Sequence, residues 1–209
     1  MAARICLVDD DENVRHALEA LFRSRRLRIS TYDDPLRFLS IWKTSELREV
    51  PAVILMDVRM PGLSGLETFR AMKSYGLPDH NVVMFLSGHG DIPLAVEAMK
   101  YGASDFLEKP FAGNSLVDRV LNNAERAESV FESSQRRHQS LAQLSERELT
   151  VAAMVSRGMT NRSIAEELHL SVRTVEVHRA RVFEKLDVRN AVELQAFSHL
   201  LPSGKPLCG

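Results

Sequence analysis

Cysteine is nearly missing from this chain, with Cys6 and Cys208 the two present in 209 residues. One sits in an apolar stretch and the other in a Pro/Gly tail, so neither a disulfide framework nor a cysteine metal site is expected. Long apolar runs are missing too. No stretch approaches the roughly 20 residues of a membrane span, and the N-terminus carries no secretory pattern, which predicts a cytoplasmic protein with no membrane partner. An excess of either charge is also lacking, the net being −1. That argues against a protein that coats nucleic acid nonspecifically. Lys/Arg and Asp/Glu are equal in number over residues 141–201, so DNA affinity there has to come from the placement of charge and from dimerisation.

What is present is an ordinary globular composition, 44% apolar, in a length that holds two modest domains or one large one. Through residue 126 the pattern alternates. Strand-like segments at 4–8, 28–32, 53–57, 81–86 and 105–107 interleave with helix-like segments at 13–25, 35–42, 64–74, 91–101 and 114–126. Such alternation predicts right-handed βαβ units and a parallel sheet covered on both faces. The third strand is the informative one. Val53-Ile54-Leu55-Met56 reads as a strand buried on both sides, running straight into Asp57, with Met60-Pro61-Gly62 closing the turn beyond. Asp57 is the first residue free to leave the sheet at its carboxyl edge, where open α/β folds place their chemistry.

Other strands of the same sheet end in related chemistry. Strand one ends in Asp9-Asp10-Asp11, strand four in Ser87-Gly88, and strand five is followed by Lys109-Pro110. An acid run, a serine or a Lys-Pro turn means little alone, since each is more often a solvated loop. Their meeting at one edge is what points to a site. Converging carboxylates repel and raise one another's pKa unless a cation joins them, and Mg2+ suits one or two carboxylates, waters and phosphate oxygens. Lys109 would neutralise a phosphoryl oxygen and the Ser87 hydroxyl would donate to another. Asp57 is therefore expected to accept phosphate, a known covalent form of a carboxylate.

With these motifs assembled, the chain resembles a two-component response regulator. Leu7-Val8-Asp9-Asp10-Asp11, Met56 through Gly62, Leu86 through Asp91 and Glu108-Lys109-Pro110-Phe111 are similar to the receiver domain, in order and over about residues 3–123. The resemblance implies a flavodoxin-like, doubly wound α/β fold with a five-stranded parallel sheet. It implies phosphorylation of Asp57, Asp9 and Asp10 as metal-site acids, and the Arg59 carbonyl completing the metal shell. Ser87 and Lys109 match the hydroxyl and lysine positions, and Phe106 the switch aromatic. One departure stands out: helix one ends in Arg25-Arg26-Leu27 where related receivers place glycine. The stretch 43–51 is also longer and more polar than is usual.

Residues 124–143 are polar and charge-mixed, which reads as a helical or partly flexible linker between a domain at 1–123 and another at 144–209. The second begins with a capping box, Ser145 to Glu148, and Gly158 ends its first helix. A short helix restarts at Thr160-Asn161, and Ser171 caps a third spanning 172–186. On that helix Val175, Val182, Phe183 and Leu186 form the inward sector. The opposite face carries Arg173, Glu176, Val177, Ala180, Arg181 and Glu184, small residues among charged ones, which suits a helix laid in a DNA major groove. A solvated face would more often carry long charged residues throughout.

Leu144 through Glu148, Gly158 through Ala165 and Ser171 through Arg179 are similar to the four-helix, LuxR-type helix-turn-helix domain. Coupled to the receiver, the whole resembles the NarL/FixJ family, in its FixJ-like branch. By that resemblance Glu176, Val177 and Ala180 face bases, while Arg162, Thr174, Arg179 and Lys185 are candidates for phosphates. Val96 and Lys100 are candidate dimer contacts. The partners implied are a sensor histidine kinase, an operator in double-stranded DNA, RNA polymerase, and a second copy of the chain once phosphorylated. The expected function is a regulator and not an enzyme, one that accepts and loses only its own phosphoryl group. Two other classes compete with it. A Mg2+-dependent aspartyl-phosphate phosphatase of the haloacid dehalogenase type would place its nucleophile and its acid/base in an Asp-x-Asp after strand one, whereas the isolated carboxylate here is Asp57, on strand three. A receiver with a protein-binding output would fail to bind DNA.

Overall fold

The computed structural model describes residues 2–44, 46–88 and 92–202, apart from the Glu46 side chain. The expected helix start at Asp91, the His89-Gly90-Asp91 part of the fourth-strand motif and the Cys208 tail lie outside these residues. Contacts divide the chain into two compact units that meet between Glu132 and Ser133.

From the start of the chain the elements run β1 (Arg4–Val8), α1 (Glu12–Ser24), β2 (Ile29–Tyr32), α2 (Pro35–Thr44), β3 (Ala52–Asp57), α3 (Gly65–Ser74), β4 (Asn81–Ser87), α4 (Ile92–Lys100), β5 (Asp105–Glu108) and α5 (Gly113–Leu141), the last of which belongs to the first unit up to Glu132. All five strands are parallel, in the order β2-β1-β3-β4-β5. Alternation along each strand makes two separate cores. Cys6, Ile54, Met56 and Phe85 pack with Phe38, Trp42, Phe69 and Met72 from α2 and α3. Leu7, Val53, Leu55, Met84 and Leu86 pack with Phe22 from α1 and Leu116 and Val120 from α5. Residues Val53 to Met56 have no exposed surface, so each contributes about 1.5–3 kcal/mol of burial. This doubly buried central strand is what carries Asp57 to the carboxyl edge.

The stretch 43–51 folds as a 3-10 turn, Glu46–Glu49, that buries Leu47. Arg48 reaches from it to the carbonyls of Tyr75 and Gly76, closing the open end of α3. The extra polar residues thus serve as a clasp on a helix terminus.

Helix α5 runs on to Leu141, so the segment expected to be a helical or partly flexible linker takes the helical form over most of its length. Ala127 is fully buried, Glu128 accepts from the Ala3 N–H at 2.7 Å, and the Phe131 ring meets that of His80 at 5.0 Å. The first unit therefore extends past residue 123. A polar sequence hid this because one small and one aromatic residue are enough to dock a helix already started.

At the end of α1, Arg26 takes φ 60. The left-handed region costs a side-chain-bearing residue about 1–2 kcal/mol, partly offset by the greater freedom glycine loses on folding. Arg26→Gly should raise the unfolding free energy of the first unit by about 0.5–1 kcal/mol in urea titration. A lowered midpoint would show that the arginine makes contacts worth more than its backbone strain.

The second unit contains α6 (Glu146–Ser156), α7 (Asn161–Leu168), α8 (Val172–Leu186) and α9 (Ala191–Leu194). Its core joins Val151, Met154 and Val155 of α6, Ile164 and Leu168 of α7, and Val175, Val182 and Leu186 of α8. The helix ends follow their caps. Ser145 and Glu148 form a reciprocal box, Thr160 accepts from Ser163 N–H, and Ser171 accepts from Thr174 N–H. Gly158 at φ 82 ends α6, and His169 at φ 53 makes the sharp turn from α7 into α8.

Candidate functional site: an acid–lysine pocket and a helix-turn-helix face

Because β1 and β3 are neighbours in register, Val8 beside Met56, their following residues emerge side by side. Asp9 is 1% exposed and Asp57 8%. Lys109, arriving from β5, places its ammonium between them, 2.8 Å from Asp9 Oδ2 and 2.6 Å from Asp57 Oδ1. The remaining oxygens accept backbone N–H groups, Asp9 Oδ1 from Asp11 at 3.0 Å and Asp57 Oδ2 from Arg59 at 2.7 Å. The Lys109 N–H donates to the Ser87 carbonyl at 2.6 Å, which fixes where the side chain starts, and the Lys109-Pro110 bond is cis.

Two carboxylates share one ammonium, so the pocket keeps a net negative charge. Burial pushes the Asp9 carboxyl above its usual range, and the Asp57 charge adds to this, against the opposing hydrogen bond and charge of Lys109. For Lys109, burial works to lower the pKa, but the hydrogen bonds and charges of Asp57 and Asp9 together outweigh it and the ammonium is held above its ordinary range. Protonated lysine is therefore secure, and Asp9 is the group short of a cation.

The other expected site residues are placed as follows. Asp10 is exposed, on the wall of a cavity of about 690 Å³ shared with Arg59, Pro61 and Glu67. Among the described residues no three His, Cys, Asp or Glu are gathered closely enough to hold a metal ion. The donor set nevertheless suits Mg2+, which takes only one or two carboxylates and retains water. Ser87 is fully buried and its hydroxyl donates to the Gly88 carbonyl at 3.0 Å. Phe106 is half-buried, packed on the core with its ring 6.3 Å from that of Phe85. Val96 is 50% exposed on α4, and Lys100 is exposed one turn on.

Two further residues bear on this pocket. The Arg15 guanidinium donates to the Asp9 carbonyl at 2.8 Å, tying α1 to the acid loop. At Gly65 a Cβ would stand 2.0 Å from the Asp57 carbonyl oxygen, so α3 can begin this close to the pocket only with glycine. No motif signals either one. Arg15 is an ordinary helix cation in the sequence, and the need for Gly65 arises only from the approach of two backbones.

In the second unit, Arg173, Glu176, Val177, Ala180 and Arg181 are all exposed on one side of α8. Arg173 pairs with Glu176 at 3.4 Å, and Arg162 on α7 with Glu166 at 3.3 Å. Such exposed pairs are weak and easily exchanged for phosphates. Thr174 is half-buried with its hydroxyl 2.8 Å from that of Ser171. Arg179 is drawn inward, donating to Asn161 Oδ1 at 2.9 Å with its guanidinium over the Phe183 ring. Lys185 is held most firmly: its ammonium lies 2.6 Å from Glu148, a carboxylate 3% exposed, and 3.1 Å from the Gln143 carbonyl.

A doubly wound sheet with an acid–lysine pocket at its carboxyl edge, followed by a helix-turn-helix unit, defines a signal receiver joined to a DNA-binding output. Comparison with known proteins gives the same two parts. Residues 5–121 match the response regulator receiver domain and residues 142–197 the luxR family of bacterial regulatory proteins. The C4-dicarboxylate transport transcriptional regulatory protein DctR of Rhodobacter capsulatus is 38% identical over 93% of this chain and 98% of its own length. The transcriptional regulatory protein FixJ of Azorhizobium caulinodans is 38% identical over 90% of this chain and 88% of its own. Among solved structures, full-length FixJ from B. japonicum is 35% identical with a TM-score of 0.58, covering 96% of this chain and 98% of that one. The chain belongs to the two-component response regulators of the NarL/FixJ type. It is a phosphorylation-regulated, DNA-binding transcription regulator and not an enzyme of the classical kind. No helix among the described residues is long and apolar enough to cross a membrane.

Proposed function

We propose that Asp57 receives the phosphoryl group of a sensor histidine kinase and that this drives pairing of two chains on an operator. A carboxylate oxygen of Asp57 bonds to phosphorus as the P–N bond to the donor histidine breaks, leaving its electron pair on that nitrogen. The observation that carries this reading is the pair of buried carboxylates, Asp9 and Asp57, sharing the single ammonium of Lys109. Asp9, Asp10, Asp57 and the Arg59 carbonyl would hold Mg2+, one or two of the carboxylates directly and the rest through its waters, and the ion would supply the charge the pocket lacks and help neutralise the transferring group. Lys109, already protonated and aimed at Asp57, meets another phosphoryl oxygen.

Phosphorylation adds about −1.5 to −2 charge. Ser87 turns its hydroxyl from Gly88 to the new oxygens, and Phe106 moves further into the core, reshaping α4 and β5. The exposed face of α4 bearing Val96 and Lys100 then pairs with a second copy. The outputs are read on DNA by Glu176, Val177 and Ala180 at base edges and by Arg162, Arg173, Thr174 and Arg181 at phosphates, with RNA polymerase as the downstream partner in the cytoplasm. Pairing is needed because one helix with few bidentate contacts discriminates by only about 1–3 kcal/mol per contact, and two linked copies gain by effective concentration.

The test is full-length protein treated with a small phosphodonor and Mg2+, with solution mass and salt-dependent DNA affinity measured before and after. Doubling of mass together with tighter DNA binding is expected. An unchanged mass and affinity despite stoichiometric phosphorylation would sink the reading. Arg181→Ala should weaken binding to all sequences alike and reduce the salt slope by about 1. A change of preferred sequence instead would put Arg181 on a base.

A further inference from the structure

A second cavity lies at the opposite end of the sheet from Asp57. Its floor is the start of β4, where Asn81 is in register with Ala52, the first residue of the strand that ends in Asp57. The space is about 460 Å³, within the range of small-molecule sites. We propose that it binds a small amphipathic monoanion, an alkyl or aryl carboxylate, with the apolar part inside and the carboxylate at the rim.

Buried Val83 and Ala103 form the base, and Leu77, Pro78, Met99 and Val130 form apolar walls. Asn81 and Ser104, the uncharged polar side chains of the lining, are already paired. Asn81 accepts from Trp42 Nε1 at 3.2 Å and donates to the Val50 carbonyl at 2.9 Å, and the Ser104 hydroxyl bonds Asn123. A ligand's interior portion therefore needs no hydrogen-bonding groups.

The rim makes the opposite demand. Lys73 from α3 and Arg126 from α5 both border the cavity, against one carboxylate, Asp79. Three exposed arginines of this unit stand against acids, Arg37 with Asp33, Arg70 with Glu97 and Arg119 with Asp105. Among the described residues neither Lys73 nor Arg126 has such a partner. Lys73 lies with its ammonium 5.5 Å from the Phe69 ring, and Gly102 at φ 91 leaves it room, since a Cβ there would come within 3.2 Å of the ammonium. Two cations facing one acid leave a single positive charge beside the apolar walls of Leu77, Pro78, Met99 and Val130. That complements one negative charge on a greasy body, and fits poorly a dicarboxylate or an inorganic phosphate, which would leave the hollow without contacts.

The test titrates octanoate, with octylammonium as the charge-reversed control, into the isotope-labelled full chain and follows backbone amides. Octanoate should shift the amides of Asn81, Gly102 and Ser104 together in a saturable manner, with a dissociation constant in the millimolar range expected of so small a ligand. Octylammonium should leave them unmoved. Lys73→Ala/Arg126→Ala changes only exposed side chains, so the fold is retained, and it should weaken octanoate binding by about tenfold or more. Equal affinity of the double variant, binding of octylammonium at the same amides, or shifts from octanoate that miss these three residues would each overturn the proposal.

Discussion

Asp57→Asn is expected to abolish every response to phosphodonor while leaving the protein folded. Asparagine offers no carboxylate oxygen to form the mixed anhydride, so neither the mass of the chain nor its oligomeric state should change on treatment. Wild type should gain about a hundredfold in operator affinity, the low end of what linking two sites confers. The variant should gain none. Stability should move the other way. Asp9 and Asp57 share one ammonium, and replacing Asp57 by a neutral residue of the same shape leaves Asp9 and Lys109 as a balanced pair. The unfolding free energy should rise by about 0.5–1 kcal/mol.

The pH dependence checks the same picture. The Asp9 carboxyl is raised above 3.8 in the folded chain, so its ionisation opposes folding. This cost is absent below the unfolded value, grows as pH climbs through the raised folded value, and is constant above it. Removing the Asp57 charge removes one cause of the raised value, so the fall in stability with rising acidic pH should be shallower in the variant. If Asp57→Asn still responds to phosphodonor with a change in mass, the switch lies elsewhere.

The second large effect is expected at Lys185, which the resemblance made a phosphate contact. Its ammonium is held by Glu148, a nearly buried carboxylate that also completes the Ser145 capping box. The Lys185 hydrogen bond, followed by those from Ser145, holds Glu148 down to about 2 from 4.5. Lys185→Met keeps the stem of the side chain and removes the charge, leaving Glu148 without its cation. A loss of about 2–3 kcal/mol from the second unit is expected. The folded pKa is depressed, so the pair's contribution is complete above pH 4.5 and lost as pH falls toward 2. Acid unfolding of the variant should accordingly lose wild-type steepness in that window. DNA binding decides between the two roles. A phosphate contact would reduce the salt slope by about 1 at unchanged stability. A structural role predicts an unchanged slope, with affinity lost only where the unit begins to unfold.

Much of this chain was legible because local rules and global architecture agree. Val53 to Met56 form a run that only a doubly buried strand accommodates, and the strand periodicity alone places Asp57 at its carboxyl end. Ser145, Thr160 and Ser171 announce helix starts by the hydrogen bonds their hydroxyls accept, and Gly158 announces an end. The outward side of α8 follows from the 3.6-residue period. The extension of α5 onto the first unit was not legible, because Ala127 and Phe131 are too sparse to register as an amphipathic pattern until His80 is beside them.

By itself the sequence determined the order and type of the elements, the edge at which the chemistry gathers and the face of α8 turned outward, since all of these depend on residues close along the chain. Only the tertiary structure decided which charges pair directly. Lys109 lies a hundred positions from Asp9 and bridges it to Asp57, Lys185 is claimed by Glu148, and Lys73 and Arg126 are left over a hollow without an acid of their own. A side chain's charge is written in the sequence. Its partner, and therefore its task, is set by the few ångströms that folding places between groups remote in the chain.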